Sequence, residues 1–137
     1  LGSRVVVDSA PFIFVLDGRG PFAKRYEGLF QSADAGEILI CLSTISFAEI
    51  LTGPFQAGNT ALAHRYERML SQYEVLPVTA AIASIAAQLR AQYCLKLPDA
   101  IQLATALDTE AAALVTHDRD FSKVDALPII SLHSPAR

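Results

Sequence analysis

The stretch Arg4-Val5-Val6-Val7-Asp8 decides the fold. Three consecutive β-branched residues with no polar alternation describe a strand whose two faces are both covered, as in a parallel sheet between helices. The acid that ends the run falls where such sheets bind ligands, beyond the carboxyl ends of the strands. Working outward, Ser9 is expected to cap a first helix with Pro11 in its first turn. That helix fades at Asp17-Gly18, and Gly20-Pro21 opens a second one to about Ala35. Residues 37–42 (EILICL) form another buried strand, and a short helix from about Thr44 is expected to stop at Gly53-Pro54. Asn59 caps a helix with Leu62, Tyr66, Met69, Leu70 and Tyr73 on one face. Residues 74–78 (EVLPV) read as a short strand, moved towards an edge by Pro77. Thr79 then caps a helix with Ile82, Ile85, Ala86 and Leu89 aligned, and Pro98 opens a long helix through Leu107. Residues 112–116 are a strand, 117–124 a polar loop and 128–132 a final strand. Strands alternate with helices throughout, which implies one α/β domain over residues 1–137, a parallel sheet with helices on both faces.

The 137 residues suffice for one core and are too few for two ordinary domains. Hydrophobic residues reach 52% against 18% charged, more apolar than a typical soluble domain, so some apolar surface is expected to be covered by a second copy or a partner. No apolar run approaches the ~20 residues of a membrane span. Leu1-Gly2-Ser3-Arg4 has no signal-peptide pattern, and residues 1–3 resemble a cloning remnant. Cys41 lies in an apolar run and Cys94 near a helix end, a pairing that suits neither a metal site nor a disulfide, so a reducing cytoplasmic setting is expected. With a net charge of −3, nucleic acid is not held by a broadly basic surface; a local basic rim or bound cations are required.

Four acids stand at informative places. Asp8 ends the first strand, Glu49 lies on the helix after the second, and Asp118 follows Thr116 at the end of the fourth. Asp99 occupies the first turn of the helix that feeds that strand. Singly, each has a local explanation: Asp8 as a turn residue, Glu49 in a capping box with Ser46, Asp99 as a first-turn acid, Asp118 and Asp120 in Asx turns. Together they are more informative, because gathered carboxylates repel unless a cation neutralises them. Oxygen ligands without a Cys or His cluster suit Mg²⁺ or Mn²⁺ rather than Zn²⁺, and point to phosphodiester chemistry. Thr116 and Ser9 are secondary candidates for orienting a carboxylate. Lys96 and Arg119, each within three residues of a proposed ligand, are the candidates for an RNA-binding rim. His117 is expected to be a loop histidine in solvent, and Phe12, Phe14 and Phe22 to pack the first helices onto the core.

Four segments carry a family resemblance: Val5-Val6-Val7-Asp8-Ser9, Ser43-Thr44-Ile45-Ser46-Phe47-Ala48-Glu49-Ile50, Leu97-Pro98-Asp99-Ala100-Ile101-Gln102-Leu103-Ala104-Thr105-Ala106, and Leu114-Val115-Thr116-His117-Asp118-Arg119-Asp120-Phe121. In this order, from Arg4 to about Leu132, they resemble PIN-domain proteins, above all VapC-like toxins of the VapBC toxin–antitoxin type. The resemblance implies a three-layer α/β/α sandwich with a five-stranded parallel sheet. It also implies one or two Mg²⁺ or Mn²⁺ ions among Asp8, Glu49, Asp99 and Asp118, with Asp8 and Asp99 central, and endonucleolytic hydrolysis of RNA. The implied partners are a second copy, giving a homodimer, and a cognate antitoxin. Two positions depart from the family pattern: His117 stands where many relatives have Asn, and Cys94 where a Gly is frequent. Asp118 can share its role with Asp120 or yield it. The alternative is a non-catalytic PIN-like assembly module, which has no reason to keep all four acids. An aspartyl phosphatase would need an acid where Ala10 stands, a receiver domain lacks its acid pair and lysine, and Gly18-Arg19-Gly20 does not continue as a phosphate loop.

Overall fold

The computed structural model describes residues 2–132. In chain order the elements are β1 (Ser3–Val7), α1 (Ser9–Asp17), α2 (Gly20–Asp34), β2 (Ile38–Ser43), α3 (Thr44–Gln56), α4 (Thr60–Leu70), β3 (Glu74–Leu76), α5 (Ala80–Tyr93), α6 (Leu97–Asp108), β4 (Ala113–Val115) and β5 (Ile129–Ile130). The five strands form one sheet in the order β3-β2-β1-β4-β5, and every neighbouring pair is parallel. β1 is therefore central, which is why its valines carry no polar partner face. The chain moves outward from β1 through β2 to β3, then returns to place β4 on the other side of β1. The crevice between the ends of β1 and β4 is the switch point where open α/β sheets bind ligands.

Period-two alternation divides the sheet into two cores. Val6, Cys41 and Leu114 pack with Ile82, Leu89, Leu103 and Ala104 beneath α5 and α6. Val5, Val7, Ile40, Leu42 and Val115 pack with Phe12, Tyr26, Phe30 and Ile50 of α1, α2 and α3 on the opposite face. Cys41 is fully buried, in keeping with a small core residue. Among the described residues no helix is long and apolar enough to cross a membrane.

Several local expectations are corrected. Helix α1 is capped by Asp8, whose carboxylate accepts the Ser9 N–H, so Ser9 is the first helical residue rather than the cap. Helix α3 runs through Gly53-Pro54 to Gln56. Gly53 has no Cβ to clash with the proline ring, so the usual pre-proline restriction is relieved. The chain turns only at Gly58, whose φ is +71°, and the Asn59 N–H bonds Pro54 O. β3 ends at Leu76 before Pro77, and the last strand shrinks to two residues. Ser3 opens β1, paired with Ile38, and Leu1 lies outside the described residues; the pairing leaves the reading of residues 1–3 as a cloning remnant as it stood.

Cys94 closes α5 in the left-handed region at φ +57° and is exposed. An L side chain there costs roughly 1–2 kcal/mol, part of which glycine's unfolded-state entropy returns. Cys94→Gly is expected to raise the unfolding free energy by about 0.5–1 kcal/mol, read as an increased midpoint in urea at unchanged slope.

Candidate metal and active site

The same alternation that builds the core builds the site. Two residues beyond Val6, Cys41 and Leu114, the ends of β1, β2 and β4 present Asp8, Ser43 and Thr116 towards the face that α6 covers. Asp8 is only 9% exposed. One of its oxygens accepts the Ser9 N–H at 2.7 Å and the other accepts the Thr116 hydroxyl at 3.0 Å. Thr116 Oγ1 in turn accepts the Asp118 N–H at 3.1 Å, and Asp118 Oδ1 accepts the Asp120 N–H at 2.8 Å. A single hydrogen-bonded path thus links the end of β1 to the turn after β4. Thr116 is a buried hub in it, which is more than the strand-end role its position alone suggests.

Asp99 enters from the first turn of α6 and is 8% exposed. Its Oδ2 is buried with no hydrogen-bond partner. Carboxylate oxygens of Asp99, Asp118 and Asp120 all lie within 4.8 Å of one another. Burial, reinforced by the charges of Asp118, Asp8 and Asp120 and opposed by Lys96, pushes the Asp99 carboxyl up to about 7. Burial also raises Asp8, against the hydrogen bonds from Ser9 and Thr116, with the charge of Asp118 adding to the rise. Glu49 is raised by burial and then by the charge of Asp8, against the Ser9 hydroxyl. An orphaned buried oxygen among all-oxygen donors fits a hard divalent cation such as Mg²⁺ or Mn²⁺.

A family model of the PIN domain matches residues 5–127. The chain belongs to the PIN-domain family. No curated protein matches it in sequence. Among solved structures, this PIN domain resembles a toxin–antitoxin complex from Klebsiella pneumoniae with a TM-score of 0.75 and 26% identity, over 93% of this chain and 96% of that one. VapBC2 from Rickettsia felis, bound to a promoter DNA fragment, gives 0.76 at 17% identity over 93% and 98%. VapC20 from Mycobacterium tuberculosis, a sarcin–ricin loop cleaving toxin, gives 0.69 at 17% identity over 86% and 92%. The last two share the fold alone.

The PIN domain brings Asp8, Asp99 and Asp118 to one end of the sheet, with Glu49 joining from the Asp8 side on an exposed turn of α3. Asp120, a secondary candidate in the sequence, also lies within 4.8 Å of Asp99 and Asp118. The capping-box explanation of Glu49 fails, because Ser43, not Ser46, caps α3. Lys96 Nζ lies 4.0 Å from Asp120 Oδ2, with both groups exposed. His117 is not a solvated loop residue: its Nδ1 is 2.7 Å from the Tyr26 hydroxyl, and its ring packs against Phe14 and Phe22. Phe12 lies in the core as expected, while Phe14 and Phe22 wall this histidine.

Two supporting residues escaped the sequence reading. Gln102 is 1% exposed, and both ends of its amide are engaged. Its Oε1 accepts from Ser43 Oγ at 3.2 Å and its Nε2 donates to Ser46 Oγ at 2.6 Å, fastening α6 one turn beyond Asp99 to the start of α3. The signal was present: one amide in an otherwise alanine- and leucine-rich buried helix. Tyr26, fully buried, accepts the Leu132 N–H at 3.1 Å and meets His117, tying α2 to the two ends of the last crossover. A tyrosine on an apolar helix face gives no sequence signal of this.

Two outcomes follow for the PIN domain. Between about pH 4 and pH 7 the folded chain holds a proton on Asp99 that the unfolded chain, with an ordinary value of 3.8, has released. Stability therefore falls as pH rises through this window and levels off above it. Asp99→Asn is expected to flatten that decline and to exceed the parent at pH 8, measured by urea unfolding without divalent metal. Gln102→Leu takes the hydrogen-bond partner from the buried Ser46 hydroxyl and the acceptor from the Ser43 hydroxyl, and is expected to cost about 1–3 kcal/mol by urea unfolding, part of it recovered when Ser46 is also replaced by alanine, with Ser43 kept as the cap of α3.

Proposed function

We propose that this PIN domain is a Mg²⁺- or Mn²⁺-dependent endoribonuclease and the toxin of a toxin–antitoxin pair. The observation that carries this reading is the buried, unpartnered Asp99 oxygen within the crowded acids at the β1–β4 switch point. Asp99, Asp118 and Asp120, with Asp8 beside them, would hold the cation, and Glu49 would complete the site from its solvent side. When bound, such a cation supplies charge stabilisation at a phosphate and lowers the pKa of a water. The chain's own residues do the rest. Ser9 and Thr116 fix both oxygens of Asp8, so its orientation costs no reorganisation during reaction. Asp99, its carboxyl raised to about 7 by burial and its acidic neighbours, would have to give up its proton to serve as a ligand. Glu49, raised but reachable from solvent, would take a proton from the attacking water. That water's oxygen bonds to phosphorus, the bond from phosphorus to the 3′ oxygen breaks, and the proton ends on the departing 3′ oxygen. The products are a 5′-phosphate and a 3′-hydroxyl.

Support for RNA and for a toxin role comes from relatives: the Klebsiella structure is a toxin–antitoxin complex, and VapC20 cleaves the sarcin–ricin loop. Exposed Phe55, Met69 and Leu97 offer apolar surface for a second copy and an antitoxin. The setting is cytoplasmic. A module used only for assembly has no need of an orphaned carboxylate oxygen beside two further acids, an arrangement that costs stability without a cation. In an RNA digest, cleavage is expected with Mn²⁺, none with EDTA, and none for Asp99→Asn or Asp8→Asn that remain folded by circular dichroism. Full activity in either variant, or in EDTA, overturns the reading.

A further inference from the structure

We propose that the cleft beside the acids is a base-binding subsite for one nucleotide of the RNA strand next to the scissile phosphate. The inference rests on the nuclease reading and adds where sequence preference arises. The cleft has a volume of about 700 Å³, and Asp118 and Arg119 form its edge on the site side. It is therefore continuous with the carboxylate cluster, one of whose acids it shares. Its wall is apolar at Leu127 and Pro128 and polar at Ser122 and Ser131, the combination that accepts the flat face of a base and meets its edge with hydroxyls.

The two rim cations differ here. Lys96 is drawn to Asp120. Arg119, between two aspartates in sequence, makes no ion pair among the described residues, and it lines the cleft. An arginine free of its acidic neighbours at the mouth of this cleft complements a backbone phosphate, which a chain of net charge −3 cannot attract by its overall field. The cleft is also preformed. Phe121 anchors its floor at 1% exposure, the Ser122 and Val124 N–H groups close turns onto Arg119 and Phe121, and Tyr93 Oη donates to Asp125 Oδ1 at 2.7 Å, holding the loop to α5.

The test uses the full chain and random-sequence RNA oligonucleotides. Ser131→Phe fills the cleft from an exposed position, and Leu127→Ser removes its apolar wall without adding bulk. Sequencing of the wild-type products is expected to show preference for a base at one position flanking the cut. Both variants are expected to flatten that preference and to lower kcat/KM about tenfold, the order of one lost apolar contact with a base, with half-saturation by Mn²⁺ unchanged. Arg119→Gln is expected to lower kcat/KM while keeping the preference. An unaltered preference in both cleft variants, or wild-type cleavage indifferent to the flanking bases, overturns the proposal. A second arm needs no cleavage: on Asp99→Asn, a short RNA is expected to shift the amide resonances of Ser122, Leu127 and Ser131. If the wild type cuts nothing yet these shifts appear, the nuclease reading fails and the subsite stands. If RNA shifts none of them, the subsite fails and the cleft is left to a protein ligand.

Discussion

Placing like charges together in a region of low dielectric costs free energy that neither charge recovers from water. In this PIN domain that cost is concentrated at Asp99. Its carboxylate is buried beside Asp8, Asp118 and Asp120, and one of its oxygens has no partner. The surrounding structure is arranged to hold the group there. Helix α6 rests on the sheet through Leu103 and Ala104, and is fixed to the β2–α3 junction by Gln102. The fold tolerates a locally unfavourable point because the apolar burial around it is large by comparison.

Neutralisation of these acids differs from one to the next. Asp8 is satisfied by hydrogen bonds within the protein and so is rigid. Asp118 serves as a backbone acceptor for Asp120 through one oxygen, leaving the other available. Asp99 has the least support and so the most to gain from a cation. This gradation follows from position: Asp8 caps a helix and faces a strand-end threonine, whereas Asp99 stands at the third position of a helix whose capping residue, Lys96, makes no side-chain cap bond.

The far side of β4 is held by a separate set of contacts. Tyr26 reaches from α2 across the sheet end to His117 and to the backbone of Leu132. The turn carrying Asp118 and Asp120 is thereby braced from the α1–α2 layer as well as from α6. The same bracing gives the neighbouring cleft a fixed edge, so the acids and the cleft share a wall rather than merely lying near one another.

Much of this was legible in the chain. The unbroken apolar runs at Val5-Val6-Val7 and Ile40-Cys41-Leu42 are buried on both faces, and alternation with amphipathic helices leaves a parallel sheet as the solution. The acids at strand ends could be located because period-two geometry is local. Other features depended on groups distant in sequence. Helix α3 passed through Gly53-Pro54 because glycine removes the pre-proline clash, so a breaker pair became a helical one. His117 left solvent because Tyr26, 91 residues away, and two phenylalanines supplied its partners. Asp120 joined the cluster only when α6 brought Asp99 against the turn. Sequence by itself determined the strands, their shared direction and the identity of the acids, because backbone periodicity and residue chemistry act within a few residues. Tertiary structure alone decided which oxygen was left unpaired, since partnership and dielectric are set by packing between segments far apart in the chain.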